Sequence, residues 1–264
     1  IEATTNVFTK KNYKVEAESS HLIFLRFEKD MVTISLDTSG EHLHRRGYAV
    51  YRGEAPLRET LAAYLVRKLS KYVEIDEKLT LIDPFAGSGT LLFEACSARL
   101  PNLERAYAWL NLKNAPKLFK SETWKKNYRW IEKPNLVNCL AFDIDSKAIE
   151  NSEKNKIEFL TVFKQNYSTK TLNLHFEVQD SRNLNLKSEH LTKSIWIVTN
   201  PPYGIRLADE NAKQVLEKLE PGIDGIIVIH PIAWKFNFKK MKLSESEDFN
   251  NQGLNLRLSV FTVK

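Results

Sequence analysis

The chain has 264 residues, 42% of them hydrophobic and 27% charged, with a formal net charge of +6. That length and apolar content exclude a disordered chain and suit one to two domains with a buried core. Two cysteines, Cys96 and Cys139, cannot build a disulfide framework and predict a reducing, cytoplasmic setting, and no apolar run approaches the roughly 18 residues that a membrane span needs.

The first residue is Ile1 rather than methionine, and no signal peptide is present, so the chain is expected to be a piece of something longer. Residues 20–29 and 31–37 alternate apolar and polar side chains, the period of a strand, with Asp30 in the turn between them. Residues 38–55 are rich in Gly, Arg and His and read as a linker. Within it His42, His44, Arg45 and Arg46 admit two readings: contact with an RNA backbone, or internal locking of the linker. Pro56 is predicted to open a helix, since its missing N–H would be unpaired at a first helical position. Leu57, Leu61, Leu65, Leu69 and Tyr72 supply its apolar stripe.

From residue 79 the pattern becomes strand–helix alternation. Strands are expected at Leu79–Asp83, Leu136–Asp143, Leu172–Gln179, Ile195–Asn200 and Gly225–His230. Helices are expected at Gly89–Arg99, Ser146–Leu160 and Glu210–Leu219. This order predicts an α/β fold with a mostly parallel sheet covered by helices. Lys239–Asp248 and Leu254–Val263 flank an Asn/Gly turn and predict a closing antiparallel hairpin.

Charge gathers in one place. Residues 100–134 carry a net +5 and also hold Tyr107, Trp109, Phe119, Trp124, Tyr128 and Trp130. Basic residues interleaved with aromatics suit a polyanion with stackable bases. They equally suit an amphipathic excursion with its aromatics packed inward. On the first reading Lys117, Lys120, Trp124, Lys125 and Lys126, together with Arg45 and Arg46, are the candidate RNA contacts.

Asp83-Pro-Phe85-Ala-Gly87-Ser-Gly89-Thr90 follows the first expected parallel strand and opens a helix. Glycines allow a sharp turn and close approach to a ligand. No Gly-Lys-Ser/Thr follows, so this is not a phosphate loop, and the third glycine of a dinucleotide fingerprint is missing. An acid at the strand end would oppose a pyrophosphate. It suits a ligand with a cationic amino-acid moiety, such as S-adenosylmethionine, and Asp83, Phe85, Gly87, Gly89 and Thr90 form the candidate set.

The next strand ends at Asp143, placed to accept ribose hydroxyls at the carboxyl edge of the sheet. Asp145 is the expected helix cap. Asp180 ends the third strand and reads either as an acceptor for an adenine amino group or as a turn-forming residue.

Asn200-Pro201-Pro202-Tyr203 is delivered to the same edge by an apolar strand. An exocyclic amino group is a poor nucleophile because its lone pair is delocalised. The Asn200 side-chain oxygen and the Pro201 carbonyl can accept its two hydrogens and favour a tetrahedral nitrogen. Two prolines fix φ twice and preorganise the loop. Tyr203 can stack on a planar substrate. No His/Cys spacing suggests a metal site.

Together these motifs resemble the class I S-adenosylmethionine-dependent amino-methyltransferases. The stretch 35–63, SLDTSGEHLHRRGYAVYRGEAPLRETLAA, narrows the resemblance to bacterial large-subunit rRNA guanine-N2 methyltransferases, whose catalytic domain follows an RNA-binding THUMP domain. The resemblance implies a Rossmann-like, seven-stranded fold closed by an antiparallel hairpin. It implies S-adenosylmethionine as cofactor and guanine N2 in RNA, most simply 23S rRNA, as acceptor. It gives Asp83, Gly87 and Gly89 the methionine part, Asp143 the ribose and Asp180 the adenine, and Asn200, Pro201 and Tyr203 the target base. Residues 1–37 would then be the C-terminal remnant of a THUMP-like domain, 38–55 a linker, and 56–264 a monomeric methyltransferase domain with an insertion at about 100–134. The alternatives are a tRNA guanine, DNA adenine N6 or protein glutamine N5 acceptor, or an RNA-binding assembly factor with vestigial activity.

Overall fold

The computed structural model describes residues 6, 9–12, 22–53, 56–73, 78–97, 105–112, 136–163, 173–184, 186, 194–203, 209–251 and 253–264. Backbone packing divides the chain into two units, Ile1–Leu43 with Leu103–Trp130, and His44–Asn102 with Ile131–Lys264. This differs from the division expected at residue 37. The first part of the 100–134 insertion joins the N-terminal unit, where the Trp109 N–H donates to the Thr38 carbonyl at 3.1 Å. In that unit β1 (Ile23–Glu28) and β2 (Met31–Leu36) form an antiparallel pair. Lys29 and Asp30 turn between them at φ 48° and 60°, the left-handed pair that matches hairpin twist. A short 3-10 turn follows at Ala108–Asn111.

The second unit begins with α1, Glu59–Leu69. Pro56 is therefore not its first residue. The Arg58 carbonyl accepts from the N–H groups of Leu61 and Ala62 and sets the start three residues later than expected. Glu59 follows in the first turn, where an acid complements the helix dipole. Then come β3 (Leu79–Asp83), α2 (Thr90–Ser97), β4 (Leu136–Asp143), α3 (Ser146–Val162) and β5 (Leu174–Val178). They are followed by β6 (Ser194–Thr199), α4 (Asp209–Leu219), β7 (Gly225–Pro231), β8 (Met241–Asn251) and β9 (Leu254–Val263).

The seven strands are ordered β5-β4-β3-β6-β7-β9-β8. β3 to β7 pair in parallel, and β9 runs antiparallel to both β7 and β8. Central strands are covered on both faces, and β3 and β6 are buried at every position. Alternation along β3 sends Leu81 to one core with Leu65, Phe93 and Phe159, and Ile82 to the other with Val215, Leu216 and Leu219. Helices α1, α2 and α3 thus cover one face and α4 the other.

Chain order reverses between β3 and β6, because β3 is flanked by β4 on one side and β6 on the other. That switch point leaves a crevice at the carboxyl ends of the two strands, where open α/β sheets bind ligands. The glycine turn leaves β3 there, and Asn200-Pro201-Pro202-Tyr203 leaves β6 there.

Candidate active site

Asp83 closes β3 and is 2% exposed. Its Oδ1 accepts from the Thr199 hydroxyl at 2.7 Å and from the Phe85 N–H at 3.1 Å. Burial pushes this carboxyl up to about 7, with the charge of Asp143 adding to the effect, while the two hydrogen bonds oppose it. A nearby cation would offset the desolvation of a buried acid raised in this way.

The turn after Asp83 bends through positive φ at Gly87 (55°) and Gly89 (81°). A Cβ on Gly87 would meet open space, so the backbone there is approachable. A Cβ on Gly89 would lie 2.8 Å from the Phe176 ring and 2.9 Å from Phe93. One glycine is thus needed for access and conformation, and the other for packing as well. Thr90 is buried at the first position of α2, and Phe85 packs against the core on the α4 side.

Three strand ends are stitched together around this turn. The Gly87 N–H donates to Asp143 Oδ2 at 2.8 Å, and the Ala86 N–H to the Phe142 carbonyl at 2.9 Å. The Gln179 N–H donates to the Asp143 carbonyl at 2.9 Å, and the Ser181 hydroxyl to the Pro84 carbonyl. Asp143 Oδ1 also accepts from the Asp145 N–H at 3.0 Å. Asp145 caps α3 by accepting from the Lys147 N–H at 2.8 Å, as its position suggested.

Asp180 takes the turn-forming alternative in this structure. It caps the 3-10 turn Ser181–Asn183 and pairs with Arg182 through both oxygens at 2.6–3.0 Å. That pairing holds its carboxyl below the usual range.

At the end of β6, Asn200 is half-buried and Pro201 buried. The Tyr203 hydroxyl donates to Asn200 Oδ1 at 3.3 Å, and its ring packs against the core on the α1–α3 side. Burial pushes the Tyr203 hydroxyl above its ordinary value, so it remains a donor. Tyr203 thus orients Asn200, a contact that its expected stacking role did not include. Thr199 bridges the two motifs, because its hydroxyl reaches Asp83 from one residue before Asn200.

The candidate RNA contacts fare differently. Arg46 meets Glu94 at 2.6 Å, and Tyr48 donates to the same carboxylate oxygen. In this structure Arg46 thus takes the internal position of its two readings, beside the buried Glu94. Arg45 is exposed. Lys117, Lys120, Trp124, Lys125 and Lys126 lie outside the described residues. Among the described residues no group of three or more potential metal ligands gathers, and no helix is long and apolar enough to cross a membrane.

Thr199, Ser152 and Ser181 were not singled out by sequence. Ser152 was detectable in part, as a polar residue at helical spacing between the buried Ile149 and Phe159. Thr199 and Ser181 look like ordinary strand and turn residues.

The sheet order, the closing antiparallel strands and the acidic glycine turn at the switch point define a class I methyltransferase fold. The chain belongs to the family described as RMKL-like, methyltransferase domain, whose model matches residues 46–220. It is 32% identical over 204 residues to the ribosomal RNA large subunit methyltransferase K/L of Cellvibrio japonicus, covering 74% of this chain and 26% of that protein. It is 34% identical over 225 residues to the putative RNA methyltransferase YpsC of Bacillus subtilis, covering 80% of this chain and 49% of that one. The chain thus spans half or less of the length of these relatives. Among solved structures, a possible methylase from Clostridium difficile 630 superposes with TM-score 0.72 at 24% identity, over 99% of this chain and 68% of the other. SMU.472, a putative methyltransferase complexed with SAH, superposes with TM-score 0.71 at 20% identity over the same shares.

Proposed function

We propose that this chain is an S-adenosylmethionine-dependent methyltransferase acting on the exocyclic N2 amino group of a guanine in RNA, with 23S rRNA as the substrate. The observation that carries the reading is the meeting of two motifs at the switch point. A buried acid with a glycine turn stands one hydrogen bond, Thr199 to Asp83 at 2.7 Å, from the strand that delivers Asn200. The names of the relatives support RNA as the substrate class, and the resemblance of residues 35–63 supports the guanine acceptor. A cytoplasmic, monomeric enzyme is part of the same reading, with residues 1–37 as the C-terminal remnant of a THUMP-like RNA-binding domain.

The residues present fit the cofactor. The backbone at Gly87 is open to a ligand, and Asp83 is a buried acid suited to a cation. In this reading Asp83 and the turn from Phe85 to Thr90 hold the methionine part, Asp143 the ribose, and Asp180 the adenine once its carboxylate exchanges Arg182 for the amino group. The bound cofactor supplies an electrophilic methyl group on a sulfonium. The protein's own work is to prepare the acceptor nitrogen. Asn200 Oδ1 and the Pro201 carbonyl accept the two amine hydrogens, which turns the lone pair out of conjugation. Pro201 and Pro202 hold those acceptors in place before the substrate arrives, so little reorganisation is needed. Tyr203 steadies the Asn200 side chain through Oδ1, whose second lone pair stays available to the amine. A dedicated base is unnecessary, because the amine proton can leave to solvent after transfer.

The test is methyl transfer from labelled cofactor to isolated 23S rRNA and, separately, to tRNA, followed by nucleoside mass spectrometry. N2-methylguanosine in 23S rRNA alone is the expected result. Label confined to tRNA, or absent from both RNAs, overturns the substrate reading. A chain that binds no S-adenosylhomocysteine in calorimetry overturns the methyltransferase reading as a whole.

A further inference from the structure

Asn155 sits on α3 and is fully buried. Its carboxamide uses its full hydrogen-bonding capacity. Oδ1 accepts from the N–H groups of Val50 and Tyr51 at 3.1 and 2.9 Å. Nδ2 donates to the carbonyls of Tyr51 and Ser88 at 2.8 and 3.2 Å. Ser88 is the residue between the two glycines of the turn. Three positions earlier on the helix, the Ser152 hydroxyl donates to the Gly87 carbonyl at 2.9 Å. Helix α3 therefore pins two successive carbonyls of the turn.

Each pinned carbonyl sets a peptide plane. A trans peptide points its N–H opposite to its carbonyl, so the Ser88 N–H is turned away from α3. The turn bends through two positive φ angles, and its Ala86 and Gly89 N–H groups have backbone partners, so the carbonyls of Gly87 and Ser88 are the groups that α3 side chains hold. An apolar residue of Asn155's size would fill the space but leave the buried Ser88 carbonyl without this donor and release the Tyr51 N–H and carbonyl from α3. The amide itself is what the position requires.

We propose that Asn155 is a positioning residue for the cofactor-binding turn, and that residues 50–51, upstream of the whole sheet, belong to the same scaffold. The inference rests on the cofactor reading above. The second tether of this segment, Arg46 and Tyr48 on Glu94, grips α2 instead of the turn and supplies a control.

The experiment is calorimetric titration of the full chain with S-adenosylhomocysteine, with thermal unfolding of each variant alongside. Asn155→Ala is expected to raise Kd about tenfold or more. Asn155→Asp keeps acceptance from Val50 and Tyr51 but gives up donation to both the Tyr51 and Ser88 carbonyls, and is expected to show a comparable loss of affinity at temperatures below its own unfolding transition. Glu94→Gln is expected to lower the unfolding temperature with Kd unchanged. Wild-type affinity in Asn155→Asp, or a loss of affinity in Glu94→Gln that tracks its loss of stability, overturns the proposal. A wild-type chain that fails to bind overturns the cofactor reading and the inference with it, and is told apart by that failure.

Discussion

The backbone N–H of Gly87 donates to the Asp143 carboxylate at 2.8 Å, across 56 residues of chain. This bond ties the turn after β3 to the acid that ends β4. It also uses one of the two carboxylate oxygens that the ribose reading assigns to a ligand. Each carboxylate oxygen has a further lone pair, so Asp143 can hold the turn and a hydroxyl together. On the ribose reading, organisation of the turn and ligand capture share one side chain.

The two glycines of that turn separate by experiment. Gly87→Ala adds a methyl to open space and costs about 1–2 kcal/mol for the positive φ. It is expected to fold and to lose affinity for S-adenosylhomocysteine. Gly89→Ala adds the same φ penalty to a clash with the buried Phe176 and Phe93 rings, and is expected to cost about 2–5 kcal/mol in urea unfolding. Equal stability of the two variants contradicts the packing assigned to Gly89.

Asp83 makes stability depend on pH with a definite sign. Its carboxyl titrates at about 7 when folded, against 3.8 for the free group. The folded chain binds that proton more tightly, so the contribution is full below about pH 4 and is lost as pH rises through 7. Asp83→Asn keeps Oδ1, which receives both hydrogen bonds, and removes the buried charge. The variant is expected to be more stable than wild type at pH 8, by roughly 1–4 kcal/mol, with the gap closing toward pH 4. Urea unfolding at pH 5 and pH 8 checks this. Ligand binding moves the other way: wild-type affinity for S-adenosylhomocysteine falls as Asp83 protonates below pH 7, and Asp83→Asn is weak throughout.

Asn200→Ala removes one of the two acceptors proposed for the amine hydrogens. Transfer is expected to fall by about 100-fold or more, the scale seen when a preorganised transition-state contact is lost. Kd for S-adenosylhomocysteine is expected to stay within about twofold of wild type. Parallel loss of both would show that Asn200 shapes the cofactor site instead.

Gly225 faces Trp196 across the β6–β7 register. A Cβ at Gly225 would lie 2.2 Å from the indole, and Trp196 is itself buried in the core. Gly225→Ala is expected to cost about 1–3 kcal/mol in chemical unfolding. Gly222→Ala, at an open turn with φ +85°, is expected to cost only the conformational term.

Local chemistry was enough to read the alternating elements, since periodicity, Gly and Pro report the conformation of their own segment. β3, β4 and β9 occur at the boundaries their patterns suggest, and both motifs stand at the strand ends where their sequences put them. The α1 start was misplaced because Pro56 tolerates a first helical position without requiring it. What tertiary structure alone decided are pairings between distant residues. Thr199 meets Asp83 across 116 residues, Asn155 meets Ser88 across 67, and Arg46 meets Glu94 across 48. No periodicity encodes such pairs, because the first exists only once the sheet order sets β3 beside β6, and the other two only once α3 and the segment before α1 pack on the turn and on α2. The sequence by itself determined which groups arrive at the carboxyl edge of the sheet. The folded sheet decided which of them touch, because burial there leaves each polar group no partner but its neighbours.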